Sequence, residues 1–248
     1  MREPDPGARL SDEQRRAADA GSKPMIPVHG RPFLDYVLSA LADAGISDVA
    51  LVVSPDHQDI AAHYAAHPPV RLSVGSVVQP EALGTANAVL AAEEWTAGSP
   101  FLAMNADNLY PVPALHALGS LDEPGLAAFD AGDLVRTSNI PEDRVRAFAL
   151  VDADDAGYLT AIVEKPAGLS HPLVSMNCWR FDARIFDACR DVARSARGEF
   201  ELPEAVALAM RRGVRFRAIP ARGPVLDLSR RADAADVERR LAGRAPRP

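Results

Sequence analysis

The sequence predicts an α/β fold of three layers, a mostly parallel sheet covered by helices, with an antiparallel lobe in its second half. Three observations predict it. Short apolar runs alternate with amphipathic stretches over residues 33–130, the βαβα pattern of a parallel sheet. Two further runs flank the turn-rich Asp154-Asp155-Ala156-Gly157, which reads as an antiparallel hairpin. The 248 residues are 48% hydrophobic, enough for one full core with a lobe attached.

The elements follow in order. Residues 10–21 read as a helix, with Ser11 and Gln14 in a capping-box arrangement. Phe33, Val37, Leu38 and Leu41 recur at helical spacing, and Gly45 can end that helix. Residues 48–54 (DVALVVS), 72–78, 101–105 and 126–129 are apolar runs that read as buried strands. Thr85 is placed to cap a helix reaching about residue 95. The hairpin strands are 147–152 and 158–164, and a strand at 174–181 leads into a helix at 183–196. Short strands at 216–219 and 225–228 precede a last helix at 232–241, and the tail 243–248 is expected to fray.

Composition excludes several classes. The formal charge of −7 opposes the basic balance of a nucleic-acid binder. No apolar run reaches the roughly 18 residues of a membrane span, and Met1-Arg2-Glu3-Pro4 lacks the apolar centre of a signal peptide. Cys178 and Cys189 make neither a disulfide framework nor a Cys-x-x-Cys metal site, which points to reduced thiols in a cytoplasmic protein. Composition leaves a homo-oligomer open.

Several residues stand where chemistry is placed in such folds. Asp107 and Asp227 each follow an apolar run, so each carboxylate sits at the C-terminal end of a strand, where open α/β sheets bind ligands. Either alone reads as a strand-end cap; together they suit a Mg²⁺ site shared with phosphate oxygens and water. Lys23 lies in a Lys-Pro-Met-Ile-Pro-Val segment, where Pro24 and Pro27 set an extended path. Gln79 ends another apolar run and offers both a donor and an acceptor to a base edge, while Gly84 allows close backbone approach. His63 and His67 are four apart on a helix, yet Pro68-Pro69 follows at once, so they read as surface residues rather than a zinc pair. Six arginines between 194 and 217 alternate with acids and read as solvated faces.

Six motifs run in order: SKPMIPVHGRPFL (22–34), VQPEALGTA (78–86), NADNLY (105–110), VEKP (163–166), GEFELP (198–203) and VLDL (225–228). This series resembles the sugar-1-phosphate nucleotidyltransferases, above all their thymidylyl- and uridylyltransferase members. The resemblance implies a three-layer Rossmann-like nucleotidyltransferase fold with an antiparallel sugar-binding lobe. It implies Mg²⁺ on Asp107 and Asp227, nucleotide binding by Lys23, Gln79, Gly84 and Thr85, and sugar-phosphate binding by Glu164, Lys165 and Asn177. Two positions depart from the family pattern: Ala106 stands where Gly precedes the first acid, and Leu228-Ser229 stands where a Gly-Thr turn follows the second.

The implied reaction transfers a nucleotidyl group from a nucleoside triphosphate, pyrimidine favoured, to a sugar-1-phosphate, releasing pyrophosphate. The alternatives are a non-catalytic sugar-nucleotide binding or regulatory protein, or a transferase acting on a non-sugar phosphate. The family opens with a buried strand and a Gly-rich phosphate loop ending in Arg-Met or Arg-Leu, and Met1-Arg2 falls where that loop would end. The expectation is thus a single domain over 1–248, N-terminally truncated relative to the functional protein. Its nucleotide-binding half is about 1–130, and its sugar-binding lobe and C-terminal part are about 131–248.

Overall fold

A computed structural model describes residues 10–19, 21–163 and 173–248. The first half runs α1 (Asp12–Asp19), β1 (Pro27–Val28), β2 (Arg31–Pro32), α2 (Phe33–Asp43), β3 (Asp48–Val53), α3 (Gln58–Ala66), β4 (Ser73–Val78), α4 (Thr85–Ala91), α5 (Glu93–Thr96), β5 (Phe101–Ala103), β6 (Asn108–Leu109), α6 (Val112–Gly119) and β7 (Gly125–Asp130). The second half runs α7 (Ala131–Thr137), α8 (Glu142–Val145), β8 (Ala149–Ala153), β9 (Leu159–Val163), β10 (Leu173–Phe181), α9 (Arg184–Asp191), α10 (Leu202–Arg211), β11 (Arg217–Ala221), β12 (Leu226–Asp227) and α11 (Asp233–Arg240).

The main sheet has the order β11-β7-β10-β8-β9, with β5 also on β10. β5, β7, β8 and β11 run one way, and β10 runs against its three neighbours among them. One reversed strand thus makes several ladders antiparallel although most strands share a direction. β3 and β4 form a separate parallel pair over six residues. The hairpin β8–β9 turns through Asp154 to Tyr158, where Asp154 Oδ1 accepts from the Tyr158 amide at 2.8 Å, as its turn composition required.

Two cores lie on the two faces of the sheet. Alternate residues of β10 divide between them: Val174, Met176 and Cys178 face one, with α2 and α6, while Trp179 and Phe181 face the other, with α4, α9 and α10. The pairing of β10 with β7 shifts register at a bulge between Ser175 and Trp179. Asn177 sits in it with a left-handed φ of 55°.

The capping box forms as expected: Ser11 N donates to Gln14 Oε1 at 3.0 Å and Gln14 N to Ser11 Oγ at 3.2 Å. Gln14 Nε2 also donates to the Pro27 carbonyl at 3.0 Å, so α1 braces the Lys23 segment. Three local expectations change. Lys23–Met25 form one 3-10 turn rather than an extended run, closed by Ile26 N donating to the Lys23 carbonyl. The α4 cap is Gly84, and the Thr85 hydroxyl serves elsewhere. The tail does not fray, because its carbonyls find donors: Val70 N reaches Pro248 O at 3.0 Å and Arg71 reaches Arg247 O at 3.1 Å.

Candidate active site

The short antiparallel pair β6–β12 brings the two acids together. Asp227 is in register with Asn108, and Leu228 N donates to the Asp107 carbonyl at 2.9 Å. Residues 101–107 therefore deliver one carboxylate and 225–228 the other to one spot, from sites 120 positions apart in sequence. Tyr110, wholly buried, donates its phenol to the Met176 carbonyl at 2.5 Å and ties this loop to the β10 bulge.

Each acid has a cation. Lys23 Nζ stands 3.5 Å from Asp107 Oδ2, with about a third of the lysine side chain exposed. Burial holds the Asp107 pKa above the ordinary carboxylate range; Lys23 opposes this, and the Asp227 charge adds to it. Asp227 is almost wholly buried and faces Arg144, whose Nη2 lies 3.1 Å from Oδ2. Arg144 Nη1 meanwhile donates to both Asp233 oxygens at 3.0 and 2.9 Å. The Asp227 backbone is clamped by Asn139, which accepts from its N–H at 2.8 Å and donates to its carbonyl at 2.7 Å. Ser229, in the departed turn, donates its N–H to Asp227 Oδ1 at 2.7 Å. Nothing in the sequence pattern marked Arg144, Asp233 or Asn139; they lie outside the motifs in a short helix, a helix start and a loop.

Among the described residues no cluster of three or more metal-capable acids, histidines or cysteines occurs. Two adjacent carboxylates still fit Mg²⁺, which takes one or two protein carboxylates and fills its shell with water and phosphate oxygens. Asp107 and Asp227 would hold it.

Gln79, Gly84 and Thr85 come together, but each has a structural partner. Gln79 Nε2 donates to Gly84 O at 3.2 Å and Asn87 Oδ1 at 2.7 Å. Gly84, at φ +114°, lies against segment 198–203: a Cβ there would meet the Phe200 carbonyl oxygen at 2.5 Å. Thr85 Oγ1 accepts from Leu202 N at 2.9 Å, and Ala86 N donates to Phe200 O at 2.9 Å. The LGTA and GEFELP motifs thus clasp each other. Asn177 accepts from Trp179 Nε1 at 3.4 Å through Oδ1 and lines a cavity. Glu164 and Lys165 lie outside the described residues.

That cavity, about 940 Å³, separates two sheet edges. Residues 48–53 of β3 line one side and 101–106 the other, with Leu34, Val37 and Leu38 of α2 and Ala88 and Val89 of α4 also in its walls. Among the described residues β3 pairs only with β4, and β5 only with β10. α2 belongs to one core and α4 to the other, so this is a slot in the plane of the sheet, apolar on both faces.

The architecture is that of the nucleotidyltransferase class of α/β proteins. The structure superposes with a TM-score of 0.72 on UDP-glucose pyrophosphorylase complexed with UDP-glucose, covering 95% of this chain and 97% of that one at 15% identity. It superposes at 0.71 on a UDP-glucose pyrophosphorylase from Acinetobacter baumanii, covering 96% and 92% at 19% identity. The sequence match is independent: the nucleotidyl transferase family model matches residues 18–227, and the chain belongs to that family. It is 30% identical over 220 residues to the UTP--glucose-1-phosphate uridylyltransferase AglF of Haloferax volcanii, covering 88% of this chain and 87% of AglF. It is 28% identical to a glucose-1-phosphate thymidylyltransferase of Streptomyces griseus, covering 91% of this chain and 61% of that protein. Against Agl11, a low-salt glycan biosynthesis nucleotidyltransferase of the same Haloferax, the identity is 25% and the chain spans 53% of that protein. No described helix is long and apolar enough to cross a membrane.

Proposed function

We propose that the protein transfers a nucleotidyl group from a pyrimidine nucleoside triphosphate to a sugar-1-phosphate. The observation that carries this is the meeting of Asp107, Asp227 and Lys23 where β6 pairs with β12. A phosphate oxygen of the sugar phosphate forms a bond to the α-phosphorus. The bond from that phosphorus to the bridging oxygen breaks, and pyrophosphate leaves with the electron pair. The nucleophile is already an anion, so no general base is needed. The barrier is repulsion between polyanions, and fixed positive charge lowers it. Mg²⁺, when bound on the two carboxylates, supplies positive charge to the phosphate oxygens. The Lys23 ammonium, long-paired and partly exposed, is free to exchange Asp107 for a phosphate oxygen. One such contact near 4 Å contributes about 4 kcal/mol at an intermediate dielectric. Glu164, Lys165 and Asn177 are assigned to the sugar phosphate by their motifs.

Pyrophosphate release from UTP or dTTP with glucose-1-phosphate and Mg²⁺ tests the reading. Asp107→Asn is expected to lower turnover at least about a hundredfold while leaving Tm within a few degrees. Undiminished turnover in Asp107→Asn and in Asp227→Asn would remove the metal assignment. A non-catalytic sugar-nucleotide binder is the second reading. It draws on the buried pairing of Asp227 with Arg144, and it predicts nucleotide binding without pyrophosphate.

We also infer that the slot between β3 and β5 seats an extended, apolar segment of chain. Its two walls are strand edges, and both of its faces are apolar. A strand buried on both faces is a continuous apolar run.

A further inference from the structure

Gln79 is held in a way that decides what it can recognise. A backbone carbonyl only accepts, so Gly84 O, 3.2 Å away, fixes which end of the Gln79 amide is nitrogen. The same nitrogen is 2.7 Å from Asn87, which must therefore present its oxygen. A primary amide has two N–H bonds, and these two acceptors take both. What Gln79 has left for a ligand is Oε1, an acceptor. Asn87 is itself held in place. It follows Ala86, which is fully buried and whose amide is clasped by Phe200 O at 2.9 Å.

We propose that Asn87 is a specificity-determining residue. By holding the Gln79 amide nitrogen, it makes the site read an N–H on the base, which uracil and thymine carry at N3 and cytosine does not. The inference rests on the nucleotide-binding reading above. With cytosine at the same depth, its N3 lone pair would face Oε1, two acceptors with no hydrogen between them. A lost bond with a desolvated acceptor lowers affinity about tenfold or more. Without Asn87, one Gln79 N–H is released and can meet the cytosine nitrogen.

The test is calorimetric titration of this chain and its variants with UTP, dTTP and CTP, each with Mg²⁺, alongside Tm. The wild type is expected to favour UTP and dTTP over CTP by about tenfold or more. Asn87→Leu is expected to bring that ratio close to one. Asn87→Asp keeps an acceptor for Nε2 and is expected to keep the preference, which a merely structural role would not separate from Asn87→Leu. If Asn87→Leu lowers Tm sharply, Asn87→Ala carries the same comparison. Full preference retained in Asn87→Leu or Asn87→Ala overturns the proposal, as does a wild type that binds UTP and CTP equally. A wild type that binds no triphosphate overturns the nucleotide-binding reading itself.

Discussion

Asp227 owes its geometry to residues that no motif contains. Its charge is answered by Arg144, which is nine-tenths buried and shared with Asp233. Replacing Arg144 by Met would leave two carboxylates close together with no cation between them. Breaking a buried pair on one side costs about 3–5 kcal/mol. The Arg144→Met variant is expected to lose that much in urea unfolding, and a loss under about 1 kcal/mol would show that water reaches the two acids. Asp107 and Asp227 stood out in the sequence because each follows an apolar run, although Asp107 lies in the turn between β5 and β6 rather than at a strand end. Arg144 was not, since one charge in Glu-Asp-Arg-Val has no period that tells a buried guanidinium from a solvated one. Five of the six late arginines are exposed, as read, but Arg217 is half-buried, held by Glu123, the Ala156 carbonyl and the Tyr158 hydroxyl.

At the scale of elements, the clasp between the Gly84 turn and segment 198–203 joins two motifs that sequence could only list separately. Gly84→Ala would set a Cβ 2.5 Å from the Phe200 oxygen at a φ of +114°. Strain of that kind costs about 1–3 kcal/mol, and it falls on the clasp. Hydrogen exchange is expected to speed up first at the Ala86, Phe200 and Leu202 amides; unchanged protection there would mean the turn shifts without opening. The slot makes a second prediction. An apolar peptide of strand length, added in trans, is expected to raise the urea midpoint and increase turnover. If it changes neither, the space between β3 and β5 is not a strand seat. The places of the strands, the hairpin and most helices were legible from period and turn residues, but β4, read as a buried strand, has no buried residue because among the described residues it is paired on one side only. The reversal of β10 was not, because direction in a sheet is set by connections and cores rather than by a strand's own residues.

At the scale of the whole molecule, the described residues form two cores on the two faces of the main sheet. Both cysteines lie in those cores, Cys178 in one and Cys189 in the other. Burial pushes each thiol up to about 12, so neither forms thiolate near neutral pH. A maleimide is expected to leave the native protein unlabelled and to label both sites once it unfolds in urea; fast labelling at either site would show that its core opens. The tail was misread because a Pro- and Arg-rich end has no signal for docking. Its partners, the Val70 and Arg71 amides and Ser39, lie far away in sequence.

The bulge in β10 also bears on how this site can vary. Asn177 holds a left-handed backbone, which aspartate and histidine share with asparagine more readily than other side chains do. Among the amino acids one nucleotide change from an asparagine codon, serine, threonine, lysine, tyrosine and isoleucine hold that backbone at a higher cost, the β-branched threonine and isoleucine above all. The paths open to drift at this position are therefore few, and they lead to side chains that change the wall's charge while keeping its shape.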